Sequence, residues 1–239
     1  MKKLRTLDLS KNNLARGLGK LGTLVELKSL NLDSNQLPAG SLAPVTSLTK
    51  LQNLSVSRNR LGKPVAQQSP SRPNRPQLEA LPELPPSLKQ LNLSSNFLSH
   101  LPKSLFSPRL VKLEKLDLSS NHLAVLPPEV KHLVNLQELY LDSNAIISLP
   151  DEFGAMRKLK VLSLKENQLR VTSTLFSDKN PQPLPKSLFT DTVLIDLNLH
   201  GNQMTNTLLN QFEGFQDFLD RRQKVKSKTM TNLDVCGLE

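Results

Sequence analysis

Leucines fall along this chain in a fixed frame. Leu4, Leu7 and Leu9 are followed by Asn12 and Leu14, and the same frame returns as Leu27, Leu30, Leu32, Asn35 and Leu37. Between the second and third leucines of each copy, apolar and polar residues alternate, the period-two pattern of a strand with one buried face. The asparagines of the eight copies, Asn12, Asn35, Asn59, Asn96, Asn121, Asn144, Asn167 and Asn202, stand 23, 24, 37, 25, 23, 23 and 35 residues apart. One copy alone would be an amphipathic strand. Eight at a nearly constant interval define a repeat in which each unit contributes one short strand.

No such unit folds by itself. A fully buried leucine is worth roughly 2 kcal/mol, and a few of them lose to the entropy of ordering some twenty residues. Stacking the units puts their leucines in one continuous column and reverses that balance. The frame is that of a leucine-rich repeat, so the expected fold is an α/β solenoid: a curved parallel sheet on the concave side, with short helices or turns on the convex side. The asparagine has a separate task. Where the chain bends out of the strand, inward-facing backbone groups lack a sheet partner, and an amide that both donates and accepts satisfies them. Repeated in register, the eight asparagines form an expected structural ladder.

Four units carry a second signature after the asparagine, a leucine-proline pair: Leu101-Pro102, Leu126-Pro127, Leu149-Pro150 and Leu184-Pro185. Proline lacks a donor and so belongs to the return path rather than to an interior strand. Apolar residues three apart beyond it, such as Val130 and Leu133 or Phe153 and Met156, predict one turn of helix. The two long intervals mark insertions. Residues 62–77, rich in proline and basic residues, read as a disordered loop with two PxxP frames at 70–76, a weak fit to an SH3-type groove; the second insertion lies near 172–183. The repeats are thus expected over 1–205. A capping helix follows over 206–222, where Leu208, Leu209, Phe212, Phe215, Phe218 and Leu219 recur at helical spacing, then a flexible basic tail over 223–239.

Cys236 is the one cysteine, so no disulfide forms within the chain. With no apolar run long enough to span a membrane and no signal-peptide pattern at Met1-Lys2-Lys3, this predicts a cytoplasmic or nuclear setting. The net charge of +10 raises nucleic acid as a partner, but the charge is spread. The outward strand positions hold Asp8, Asp33, Asp117, Glu138, Asp142 and Asp196 against Lys115 and Lys165, and flanking bases bring the face to neutrality. A groove that tracks phosphates is continuously basic and lined with aromatics, whereas Tyr140 is the only aromatic here. Nucleic acid is therefore disfavoured.

No catalytic, cofactor-binding or metal-ligating set emerges. The histidines, His100, His122, His132 and His200, are scattered among repeats without ligand spacing, and the reading is that of a chain that is not an enzyme and needs no cofactor. The expected function is a non-catalytic scaffold that binds a protein partner on its concave strands, centred on Lys115, Asp117, Glu138, Tyr140, Asp142 and Lys165 and continued by Asn198 and His200. The competing reading is association with nucleic acid or acidic membrane through the basic insertion and the tail residues Arg221, Arg222, Lys224, Lys226 and Lys228. At the other end Leu4, Leu7 and Leu9 have no preceding repeat in this sequence, which predicts fraying or self-association there.

The 23-residue units with their Leu-Pro pairs resemble the intracellular leucine-rich repeats shared by Ras-binding and phosphatase-regulating proteins. The last third, with Glu166-Asn167, Leu184-Pro185-x-Ser187, Gly201-Asn202, Glu213-Gly214-Phe215 and the basic run after Arg221, is similar to the family of leucine-rich repeat-containing protein 57. Members of that family can begin with a glycine suited to myristoylation; Lys2 stands there in this chain. Leu81-Pro82-Glu83-Leu84-Pro85-Pro86 resembles the shorter repeats of bacterial effectors, from which the 23- to 25-residue interval differs.

Overall fold

The computed structural model describes residues 3–62, 81–170 and 182–229. The Pro/Arg-rich loop with its PxxP frames, most of the second insertion and everything beyond residue 229, Cys236 included, lie outside the described residues.

Each frame yields a three-residue strand: β1 (Thr6–Asp8), β2 (Ser29–Asn31), β3 (Asn53–Ser55), β4 (Gln90–Asn92), β5 (Lys115–Asp117), β6 (Glu138–Tyr140), β7 (Val161–Ser163) and β8 (Asp196–Asn198). They pair in parallel and in chain order, forming one open sheet. Register follows the leucine column, Leu7 beside Leu30, then Leu54, Leu91, Leu116, Leu139, Leu162 and Leu197. A one-residue slip would turn this column to solvent, so its burial fixes the pairing. From Leu30 to Leu197 every member is at most 3 % exposed.

The return path is mostly 3-10 rather than α-helical. Turns at Leu18–Thr23, Ala43–Ser47, Lys103–Phe106, Pro108–Leu110, Pro128–His132 and Asp151–Ala155 each bury one or two apolar side chains, Val130 and Phe153 among them. With only 16 to 18 residues between the asparagine and the next strand in the short units, the tighter i-to-i+3 helix is the form that fits. Prolines stand just before or at the first residue of four of these turns, where a missing N–H costs nothing. The longer return before β8 instead forms an α-helix, α1 (Lys186–Thr190), which buries Leu188 and Phe189 completely.

Beyond β8 come α2 (Asn206–Leu209) and α3 (Phe215–Thr229). Gly214 breaks the chain between them at φ +81°, and a Cβ there would lie 2.7 Å from Thr190 Cγ2, so the turn needs a residue without a side chain. Phe212, Phe215 and Phe218 pack on Phe189 with ring centroids 6.4, 5.5 and 6.1 Å away. The apolar stripe read from the sequence thus occupies two helices, and α3 continues to Thr229, seven residues into the stretch expected to be flexible tail. Gln223, Lys224, Val225 and Lys226 contain no glycine or proline to stop it. Among the described residues no helix is long and apolar enough to cross a membrane.

Candidate functional site: the strand face

Every strand ends in a turn held by the asparagine of its frame. The Asn121 amide donates to the carbonyls of Leu93, Leu118 and Ser119 at 3.1, 2.8 and 3.2 Å, while its oxygen accepts from the N–H groups of Asn96 and Leu98, both at 3.0 Å. Asn35, Asn59, Asn96, Asn144, Asn167 and Asn202 repeat the arrangement, each reaching a carbonyl of the preceding unit. Asn12, in the first unit, reaches only Leu9 and Ser10 of its own turn.

The residue before each asparagine is left-handed. Lys11, Ser34, Arg58, Ser95, Ser120, Ser143 and Glu166 have φ of 53° to 56°, and Gly201 has φ 76° in the eighth unit. That conformation costs an L-residue about 1–2 kcal/mol, offset here because its N–H joins the next unit, as Ser120 N does to Asp142 O at 2.7 Å. Only the glycine could have revealed this in the sequence.

The acidic array on this face is largely spoken for. Asp117 Oδ1 accepts from Ser119 N at 2.9 Å, Asn198 Oδ1 from His200 N at 3.1 Å, and Asp8, Asn31 and Asn92 accept likewise from the N–H two residues on. These are Asx turns that close the strand end. Strands β3 and β7 carry serine at that position instead, and there an aspartate of the preceding unit serves. Asp33 Oδ1 accepts from Ser57 N and Ser55 Oγ at 2.6 and 2.7 Å, and Asp142 Oδ1 from Lys165 N and Ser163 Oγ at 2.8 and 2.5 Å.

What remains outward is a compact cluster on β5 and β6. Lys115 Nζ lies 2.7 Å from Glu138 Oε2 and 4.9 Å from the centre of the Tyr140 ring, and the Tyr140 hydroxyl donates to the same carboxylate oxygen at 3.0 Å. The hydrogen bond from Lys115 holds Glu138 below the usual carboxylate range and holds Lys115 itself above the usual lysine range. Partial burial, then the neighbouring Glu138, pushes the Tyr140 phenol up. At neutral pH the cluster is therefore Lys⁺, Glu⁻ and neutral Tyr. Lys165 pairs with Glu166 at 3.2 Å one turn away, where Ser143 Oγ donates to Glu166 at 2.8 Å and holds that carboxyl down.

The geometry gathers Lys115, Glu138 and Tyr140, with Asp117 opposite Tyr140 in the strand register; Asp142 and Lys165 are joined to each other in the turns that follow, while Asn198 and His200 lie on the last strand and its exit. Among the described residues no three His, Cys, Asp or Glu side chains come together as a metal site. His132 bonds Phe106 O through Nδ1 at 3.0 Å and His100 meets Ser99 at 2.9 Å, each on its own loop. The first two residues of the basic run, at the end of the expected capping helix, face inward. Arg221 donates to Phe189 O at 2.7 Å and to Leu194 O at 3.4 Å, and Arg222 is only 7 % exposed.

Leucine-rich-repeat family models match residues 86–146 and 3–24. In solved structures, an internalin of Listeria monocytogenes is 23 % identical with a TM-score of 0.59 over 86 % of this chain and 51 % of its own. A leucine-rich-repeat protein of Leptospira interrogans is 25 % identical with a TM-score of 0.58, over 100 % of this chain and 61 % of its own. Internalin C2 of L. monocytogenes is 24 % identical with a TM-score of 0.61, over 87 % and 77 %. This chain thus spans only half to three-fifths the length of the first two. No curated protein matches it, and the similarity of the last third to leucine-rich repeat-containing protein 57 rests on the residues quoted above alone. In fold the chain is a leucine-rich-repeat solenoid of eight units, and leucine-rich-repeat models match part of its sequence. Such folds are typically non-catalytic modules that mediate protein–protein interaction.

Proposed function

We propose that this chain is a non-catalytic adaptor that binds a protein partner across its strand face, centred on β5 to β7. The carrying observation is the Lys115–Glu138–Tyr140 cluster, in which each side chain holds another in place before any partner arrives. Ordering contact residues in advance reduces the entropy lost on binding, and tyrosine supplies a large amphipathic surface with two rotatable bonds. Lys115, Glu138, Tyr140, Lys165 and His200 are the residues that meet the partner. Asp117, Asp142 and Asn198 border the surface and shape it through their turns.

The single cysteine supports an intracellular setting, cytoplasmic or nuclear, in line with the resemblance to intracellular repeats. The competing reading, association with nucleic acid or acidic lipid, loses support from Arg221 and Arg222, which are committed to the fold. The test is affinity purification from the native cell with the wild type and Tyr140→Ala. The partner is expected to be lost from the variant while its thermal unfolding is unchanged; a partner retained at wild-type level overturns the placement.

A further inference from the structure

A second surface lies beside the strand face, on the edge where the chain enters β4 to β7. Lys89, Glu114 and Gln137 immediately precede β4, β5 and β6, and Val111, Lys112, Asn135 and Lys158 come from the turns leading into β5, β6 and β7. Together they line an open groove of about 380 Å³, within the range of pockets that take a few side chains.

Its charges differ from those of the strand face in being unbalanced. Three lysines surround one carboxylate, and Lys89 alone pairs with Glu114, at 3.4 Å. Lys158 Nζ is anchored 2.6 Å from Asn135 Oδ1, whose amide nitrogen donates in turn to Val111 O at 2.5 Å, so the ammonium is held in place without being neutralised. Lys112 has no partner among the described residues. The Gln137 side-chain amide makes no hydrogen bond there either, leaving one donor group and one acceptor free for a peptide backbone. Val111, 43 % exposed, adds an aliphatic contact.

We propose that this groove binds an acidic, extended peptide segment of a protein partner, its carboxylates on Lys112 and Lys158, its backbone on Gln137 and one aliphatic side chain on Val111. The groove is open along the repeats and so suits a chain rather than an enclosed small molecule. Its lining has no aromatic on which a nucleic-acid base could stack.

The test is fluorescence anisotropy of the purified 239-residue chain with a labelled ten-residue peptide of glutamate and alanine around a central leucine. Parallel titrations use the same peptide with lysine for glutamate and a ten-nucleotide single-stranded DNA. The acidic peptide is expected to bind at low salt and to be released as salt rises. Lys112→Glu with Lys158→Glu weakens it about tenfold or more, because each reversal replaces an attraction with a repulsion; Lys112→Gln with Lys158→Gln falls between. Tyr140→Ala leaves it unchanged, which separates this groove from the strand-face reading. No binding of the acidic peptide, binding indifferent to both double variants in chains of wild-type circular dichroism, or equal binding of the lysine peptide or the DNA overturns the proposal.

Discussion

At the scale of single residues, the same turn N–H is satisfied in two ways, and the choice depends on a neighbour one repeat away. Where a strand ends in Asp or Asn, that residue serves the N–H two positions on; where it ends in Ser55 or Ser163, Asp33 or Asp142 crosses from the preceding unit. Asp142→Ala leaves Lys165 N unserved and is expected to destabilise by about 1–3 kcal/mol in urea unfolding. Ser163→Asn in the same chain supplies a local acceptor and restores most of the loss; no recovery would mean that Asp142 acts through something other than this turn. The leucine and asparagine positions were legible in the sequence because eight copies superimpose. This exchange was not, since the two partners stand more than twenty residues apart and Asp142 reads equally well as an exposed charge. The left-handed residue before each asparagine was hidden for a related reason: Lys, Ser, Arg and Glu occupy it in seven units, and only Gly201 betrays the conformation.

Between elements, side chains join what the backbone already pairs. The Lys115–Glu138 bridge ties β5 to β6, but with side chains 43 % and 37 % exposed it is screened by water and contributes at most about 0.5 kcal/mol. Glu138 has a lowered pKa, so its share is present above the ordinary glutamate range and is lost as pH falls through the lowered value. Lys115 has a raised pKa, so its share is present below the ordinary lysine range and is lost as pH rises through the raised value. The difference in unfolding free energy between the wild type and Glu138→Gln is therefore expected to stay constant from about pH 6 to 9 and to shrink below about pH 4. A difference that varies across the neutral range contradicts this pairing. The contact of α3 is firmer. Arg221 binds the carbonyl of Phe189, next to last in α1, and Arg221→Ala should cost about 1.5–3 kcal/mol, the range for a bond to a charged donor, read as a lower melting temperature; Arg221→Lys recovers only part, because an ammonium cannot reproduce the two-pronged reach to Phe189 and Leu194. The aromatic stripe of this region was readable from its spacing. That arginines of the basic run would turn inward was not, because charge runs usually remain in solvent.

Across the whole molecule the two ends of the leucine column differ. At β8, Leu197 and Leu199 are 1 % exposed, with Met204, Leu209 and Phe212 in the same apolar core. At β1, Leu4, Leu7, Leu9 and Leu14 are only partly buried and pack on one neighbouring repeat. In a solenoid each unit draws stability from the units on both sides, so a unit with one interface opens more readily than one with two. The covered end was legible in the sequence, since a phenylalanine-rich segment follows the last frame. Amide exchange of the 239-residue chain provides the measure. Leu9 N and Lys11 N bond to Asn31 O and Asp33 O, both at 2.8 Å, much as Leu118 N and Ser120 N bond to Tyr140 O and Asp142 O at 2.8 and 2.7 Å, so local hydrogen-bond length cannot separate them. The first pair is nonetheless expected to exchange faster by an order of magnitude or more, as about 1.4 kcal/mol of lost interface would give. Fusing a repeat with a polar outer face ahead of Leu4 should slow Leu9 and Lys11 while leaving Leu118 and Ser120 unchanged. Equal protection of both pairs in a monomeric sample, with no response to the added repeat, would show that one interface suffices to hold the first unit.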